Sequence, residues 1–295
     1  MIQNSITEQV KTVKRGLFLN HELQESFDRD GYVVIDFLNT TEVKALLDEF
    51  WTLPAVMGEP AFASTIMSQD SNYRTTVSII IKNAFARAVN ENFKDAQLFL
   101  GNFNLKYPNN PSGTVQMHQD PSFIDEKLFS PLVIWVPLVD STSQNGALQV
   151  IPGSHKILSP PRCGGLSFPY EHLESELLKH FGKELPMKAG QAYVASPALF
   201  HYSPPNMGTD PRIAAAGLAG PAESALRYHH YAQKEGNTLA EIFAVEHEYY
   251  VAAPLFSRPD ESRYKLIDTV TLNTNIPSRD TLFEMLSTHN QHQTT

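Results

Sequence analysis

The stretch TVQMHQDPSF, residues 114–123, sets a histidine and an aspartate two positions apart. In an extended chain, residues i and i+2 share a face. With residues 117–121 extended, His118 and Asp120 project together and Gln119 points away. An imidazole nitrogen and a carboxylate oxygen side by side are two ligands for one metal ion. A third is needed, and His201 is the candidate; it ends a strand-like run in SPALFHYSPPN, just before a proline-rich turn. Two histidines and a carboxylate on one side of an ion leave the opposite positions open, as in non-haem Fe(II) sites. Zinc accepts the same donors, with water in its fourth position. An H-x-D pair by itself is a weak signal, since it arises by chance in many chains.

The chain beyond His201 sharpens the signal. Arg212 lies eleven residues further on, past the turn PPNMGTD. Antiparallel pairing of the two flanking strands would return it to the strand that carries His201. Ser203 shares the face of His201 by strand parity. A guanidinium offers a rigid fork for a carboxylate, so Arg212 and Ser203 form a receptor for the far end of a dicarboxylic cosubstrate whose near end chelates the metal. The alternative for Arg212 is a surface cation. The small apolar run IAAAGLAG after it reads as core and favours the first account.

These residues need a scaffold. HELQESFDRDG has Leu23 and Phe27 at helical spacing and stops at Gly31; YVVIDF is a short strand; NTTEVKALLDEFW opens with Asn39 and Glu42 in a capping-box pattern. From about Gln97 the chain turns to short strand-like runs, among them LFLGNFNLKY, LVIWVPLV, ALQVIPG, GQAYVAS and RIAAAGLA, separated by turn-rich segments. Many short strands with turns between them predict a sandwich or barrel. The helical YEHLESELLKHFG lies within an insertion, and SRDTLFEML near the end reads as a helix that covers a sheet face or a partner. The expected organisation is a single domain over residues 1–295. Residues 1–96 form a helical and strand support, residues 97–228 the β core with an insertion at 157–186, and residues 229–295 an extension serving as lid or interface.

Composition narrows the function classes. The 295 residues are 42% hydrophobic and 19% charged, ordinary values for a globular protein. The net charge of −9 argues against a nucleic-acid or anionic-membrane partner. The lone Cys163 rules out an intramolecular disulfide and a cysteine-rich zinc site. With no apolar leader and no run long enough to span a membrane, the expectation is a cytoplasmic protein, monomeric or homodimeric, acting on a small molecule.

The segments DGYVVIDFLNTTEVKALLDEF, HQD, LVIWVPLVDSTSQNGALQVIPGSHK and FHYSPPNMGTDPRIAAAGL together resemble the phytanoyl-CoA dioxygenase family of Fe(II)/2-oxoglutarate-dependent oxygenases, over most of the chain. The resemblance implies a mainly β fold with flanking helices, a double-stranded β-helix or cupin-like jelly roll. It implies Fe(II) bound by His118, Asp120 and His201, 2-oxoglutarate bound through Arg212 and Ser203, and O2 as the oxidant. Trp135 stands where a family member has an aromatic lining the cosubstrate pocket; plain core packing is the equal alternative. Asn102, Asn104 and Lys106 form an alternating polar row that either lines the barrel mouth or is a solvated sheet face; Asn104 is singled out for the pocket. Related halogenases lack a carboxylate where Asp120 stands, so hydroxylation or a related oxidation is expected rather than halogenation.

The remaining histidines have blander expectations. His155 is structural. At most one of His229 and His230 faces a pocket, for packing or substrate contact. His172, His180, His289 and His292 are surface residues. Residues 160–182 and the segment after Tyr228 are the expected lid elements. Two other classes stay open: a metal-dependent hydrolase or isomerase on the same barrel, which has no need of a dicarboxylate receptor, and a non-catalytic binding protein.

Overall fold

The computed structural model describes residues 14–54, 61–158, 161–272 and 276–291. Its helices are α1 (His21–Asp30), α2 (Thr40–Thr52), α3 (Ser71–Asn92), α4 (Glu174–Phe181), α5 (His247–Ala252) and α6 (Arg279–Gln291). Its strands are β1 (Tyr32–Asp36), β2 (Phe62–Ser64), β3 (Ala96–Lys106), β4 (Val115–His118), β5 (Leu132–Pro137), β6 (Leu148–Val150), β7 (Lys183–Leu185), β8 (Gln191–Ala195), β9 (His201–Ser203), β10 (Arg212–Pro221), β11 (Arg227–Lys234), β12 (Asn237–Ala244) and β13 (Leu266–Thr271).

Three antiparallel sheets result, in the orders β1-β8-β5-β10-β3-β2, β4-β9-β6-β7 and β11-β12-β13. The first two face each other as the jelly roll expected from the sequence. Strand alternation sorts the larger sheet's side chains into two cores. Phe103, Leu105, Ile134, Val136, Val194 and Ala215 point outward and pack under α1, α2 and α3 through Phe27, Leu46, Ile81 and Phe85. Trp135, Tyr193, Ala214 and Ala216 point inward, towards Leu148, Val150 and Leu185 of the smaller sheet. Small alanines on the inner face of β10 leave room beside Trp135.

The N-terminal helices are capped as their sequences foretell. Asn39 Oδ1 accepts from Thr41 N and Glu42 N, while Glu42 accepts from Asn39 N. Gly31, at φ 84°, closes α1 with its N–H on Phe27 O. Helix α3, which no turn signal announces, is capped by Asp70 and lies directly on β3; a Cβ on Gly101 would sit 2.7 Å from Ile81 Cβ.

The outer face of the smaller sheet is covered by α4 and α6. Leu177, Leu282 and Leu286 pack against Met117 and Phe200, the residues immediately before His118 and His201. The C-terminal helix therefore covers a sheet face, one of the two roles expected of it. Leu282 is fully buried, so Leu282→Ala is expected to lower the unfolding free energy by about 2–5 kcal/mol. Urea denaturation measures this; an unchanged midpoint would show that α6 does not pack there in solution.

Among the described residues, no helix is long and apolar enough to cross a membrane.

Candidate metal and dicarboxylate site

Adjacent strands β4 and β9 bring the two histidines together: His118 is the direct register partner of His201, and their ring centroids are 4.1 Å apart. The strand ends at His118, short of the expected stretch to residue 121. Asp120 is held instead by its backbone, with its N–H on Pro197 O at 2.8 Å and its carbonyl accepting from Arg162 Nε at 2.8 Å. The anchor on Pro197 lies in the loop that leads into His201, so one short loop sets both ligands.

His118 Nε2 is 3.8 Å from Asp120 Oδ1, and His201 Nε2 is 3.9 Å from Asp120 Oδ2. With metal–ligand bonds of about 2.0–2.2 Å, two ligands of one ion lie no more than about 4.4 Å apart, and both separations meet that limit. The partners set the tautomers. His118 Nδ1 faces Gln116 O at 2.7 Å and His201 Nδ1 faces Leu199 O at 3.0 Å. A carbonyl only accepts, so each Nδ1 carries the proton and each Nε2 presents a lone pair. Burial, together with the neighbouring His201, lowers the His118 pKa, in the direction of a neutral ring. Two bare nitrogens and a carboxylate converging on one point repel one another unless a cation sits between them. The trio thus fits a divalent metal.

The receptor side differs from the expected geometry in one respect. Strands β9 and β10 do not pair; β10 lies in the larger sheet between β3 and β5. Arg212 reaches Ser203 from the facing sheet, across the interior, with its Nη1 3.2 Å from Ser203 Oγ. The same Nη1 donates to Gly146 O, and Ser203 Oγ donates to that carbonyl at 2.9 Å. Gly146 has φ 87°, and a Cβ there would meet Pro204 O at 2.4 Å, so this anchor requires glycine. Trp135 lies against the guanidinium, 5.1 Å from its centre to the ring centroid.

Arg212 is only 2% exposed, its Nε–H has no hydrogen-bond partner, and among the described residues no carboxylate pairs with it. Lys106, its register partner on β3, is fully buried, and Nζ donates to Ser203 O at 2.8 Å and to Pro204 O. Two buried cations without a counter-anion are costly. Burial pulls Arg212 down to about 9; burial, and then the charge of Arg212, pulls Lys106 down to about 6. A bound carboxylate would relieve both. Asn104 lies one inward-facing step from Lys106, where its Oδ1 accepts from Asn102 Nδ2 at 3.0 Å. Lys106 is visible in the polar row of the sequence but not distinguished within it, because a lysine at a strand end ordinarily reaches water.

The depressed Lys106 has a consequence for stability. Between pH about 6 and about 10 the unfolded lysine holds a proton that the folded one has released, so unfolding takes up a proton and stability rises with pH. Without metal and cosubstrate, Lys106→Met is expected to flatten that rise in urea unfolding between pH 6 and 9. An identical slope in the variant would show that Lys106 stays charged in the fold.

A cavity of about 930 Å³ opens beside His118. Its walls come from residues 161–169 of the insertion and from β11, β12 and β13, two of the segments expected to govern access. His229 faces this cavity, whereas the adjacent His230 turns towards Glu241. His155 is largely buried and its Nδ1 lacks a partner. Cys163 is buried and pushed up to about 12, which leaves it an unreactive thiol. His172 and His180 are exposed as expected, but His289 is not: its Nε2 is 3.1 Å from Asp30 Oδ1, and α6 tucks it against Gly153. His292 lies outside the described residues.

The model of the phytanoyl-CoA dioxygenase (PhyH) family matches residues 27–214. The chain belongs to the phytanoyl-CoA dioxygenase family. The match runs from α1 through all three candidate ligands to the inner face of β10. One relative, the phytanoyl-CoA dioxygenase domain-containing protein 1 homolog of Dictyostelium discoideum, is 31% identical over 109 residues. That alignment covers 35% of this chain and 39% of the relative's length. Two solved structures share the fold. EctD from S. alaskensis is 24% identical with a TM-score of 0.51, over 70% of this chain and 79% of its own. HygX from Streptomyces hygroscopicus, solved with nickel and 2-oxoglutarate bound, is 17% identical with a TM-score of 0.50, over 70% of this chain and 88% of its own.

Proposed function

We propose that this dioxygenase-family chain oxidises, most simply hydroxylates, an aliphatic carbon of a small metabolite while converting 2-oxoglutarate and O2 to succinate and CO2. The observation that carries the proposal is the buried, carboxylate-free Arg212 beside Ser203, across the interior from a two-histidine, one-carboxylate cluster. A metal hydrolase has use for the cluster but none for the cation.

His118, Asp120 and His201 would hold the iron. Bound together, Fe(II) and 2-oxoglutarate supply the oxidising power: one oxygen atom of O2 leaves in succinate and the other enters the substrate. The chain does the positioning. Arg212 and Ser203 would take the distal carboxylate, Lys106 would regain its proton beside that anion, and Trp135 packs against the guanidinium. Asn104 and the inward alanines of β10 shape the space. Asp120, present as a carboxylate ligand, supports oxidation rather than halogenation.

A small-molecule substrate suits the cavity beside His118, and the net charge of −9 suits neither nucleic acid nor an anionic membrane. The single buried Cys163 suits a reducing, cytoplasmic setting, and a monomer or homodimer is the expected state. Incubating the protein with Fe(II), 2-oxoglutarate and O2 tests the class. Succinate formation that stops when iron is omitted is the expected result; none across a broad panel of substrates would contradict it.

A further inference from the structure

The wall of the cavity has a chemistry of its own. Among its described residues, three acids, Asp125, Glu126 and Asp268, balance three bases, Lys127, Arg162 and Arg227. Both arginines are already committed. Arg162 grips Glu126 with two bonds, of 2.7 and 3.0 Å, and Arg227 pairs with Asp125 at 3.0 Å. No surplus of positive charge remains for a polyphosphate. The aliphatic part of the lining has Ile242, Ile267 and Val270 from β12 and β13 and Ile124, Leu158 and Leu166 from the loops.

Among the uncharged polar side chains of this lining, His229 is an imidazole whose ring is fixed by the backbone. His229 is buried, and its Nδ1 lies 2.7 Å from Ser122 O. A carbonyl cannot donate, so Nδ1–H is the donor, and Nε2 carries a lone pair. Burial pushes the ring's pKa down to about 4, so Nε2 stays an acceptor at neutral pH. Ser122 lies two residues beyond Asp120, which ties this acceptor to the segment that supplies the carboxylate ligand.

Resting on the oxygenase reading above, we infer that the substrate is an uncharged, largely aliphatic molecule bearing a hydroxyl or amide N–H, that His229 Nε2 accepts the hydrogen bond from that group, and that thioesters of coenzyme A are excluded. The aliphatic wall selects the carbon skeleton. His229 sets which way round it lies, and hence which carbon faces the metal cluster.

Ligand-observed NMR on the metal-free protein tests this with four probes on one skeleton: 1-octanol, its methyl ether, octanoate and octanoyl-CoA. The expected order places the alcohol about three- to tenfold tighter than the ether, the gain from one hydrogen bond. Octanoate and octanoyl-CoA should bind more weakly than the alcohol. In His229→Phe the alcohol-to-ether ratio should fall to near one. In His229→Gln, whose amide oxygen can accept from the same place, it should persist. A general disturbance of the fold would weaken both probes and leave the ratio alone. Equal binding of alcohol and ether to the wild-type protein, preference for octanoyl-CoA, or no binding by any probe would each overturn the inference. None of these results depends on iron or 2-oxoglutarate. Failure of the oxygenase reading would show separately, as absent 2-oxoglutarate binding in the iron-loaded protein.

Discussion

Arg212→Met is expected to weaken 2-oxoglutarate binding by on the order of 10²–10³-fold while leaving the fold at least as stable. Both halves come from one feature. The guanidinium is buried without an anion among the described residues, so on the proposed reading the cosubstrate's distal carboxylate would complete an ion pair there. Removing one partner of such a pair costs about 2–5 kcal/mol, or roughly 30- to 5,000-fold in affinity. Without cosubstrate the same charge is a liability, and replacing buried charges by well-packed apolar side chains is often neutral or stabilising. Methionine removes the buried charge beside Trp135 that helps hold Lys106 unprotonated. The apparent KM for 2-oxoglutarate and the thermal midpoint of the metal-free protein measure the two halves. A KM within a few-fold of wild type would remove Arg212 from the receptor. A large fall in the midpoint with unchanged KM would make it a structural residue only.

Asp120→Ala is expected to reduce turnover to about one per cent or less and iron affinity by at least about 100-fold. Losing a group that merely orients a ligand typically costs 10–100-fold, and loss of the ligand itself should cost no less. The folded state should survive, because the N–H and carbonyl of residue 120 hold Pro197 and Arg162 whatever its side chain. Iron binding by calorimetry and succinate release measure the two effects. Wild-type iron affinity with wild-type turnover would take Asp120 out of the ligand set.

Much of this site is legible in the sequence, for identifiable reasons. Parity places Ser203 with His201, because side-chain direction in extended chain is a local property; His118 and Asp120 do converge, but through the backbone bonds of residue 120 and not through the extended stretch expected of residues 117–121. Arg212 stands out by its spacing from His201, although the expected route is wrong: β10 joins the other sheet, and the contact with Ser203 forms across the interior. Strand partners in a jelly roll depend on long-range pairing, which local pattern does not carry. Lys106 escapes notice for the same reason, since only register with Arg212 distinguishes it from an ordinary polar strand residue. Helix α3 is hard to read because SIIIKNAFARAV is apolar on more than one side, as suits a helix pressed between β3 and α5. The sheet β11-β12-β13 lacks clean alternation; its faces meet the cavity on one side and α5 and the loops on the other. His289 looks like a surface histidine in a polar tail, and only the docking of α6 buries it.

If His118, Asp120 and His201 bind ferrous iron while the buried Arg212 anchors 2-oxoglutarate, the two must be held together at one site. An anaerobic titration of the Fe(II)-loaded protein with 2-oxoglutarate, followed by visible absorption, reads that joint binding. A charge-transfer band should appear, saturate at one equivalent, vanish in Asp120→Ala, and need far more 2-oxoglutarate in Arg212→Met. Tight Fe(II) binding with no such band at saturating 2-oxoglutarate would refute a shared site.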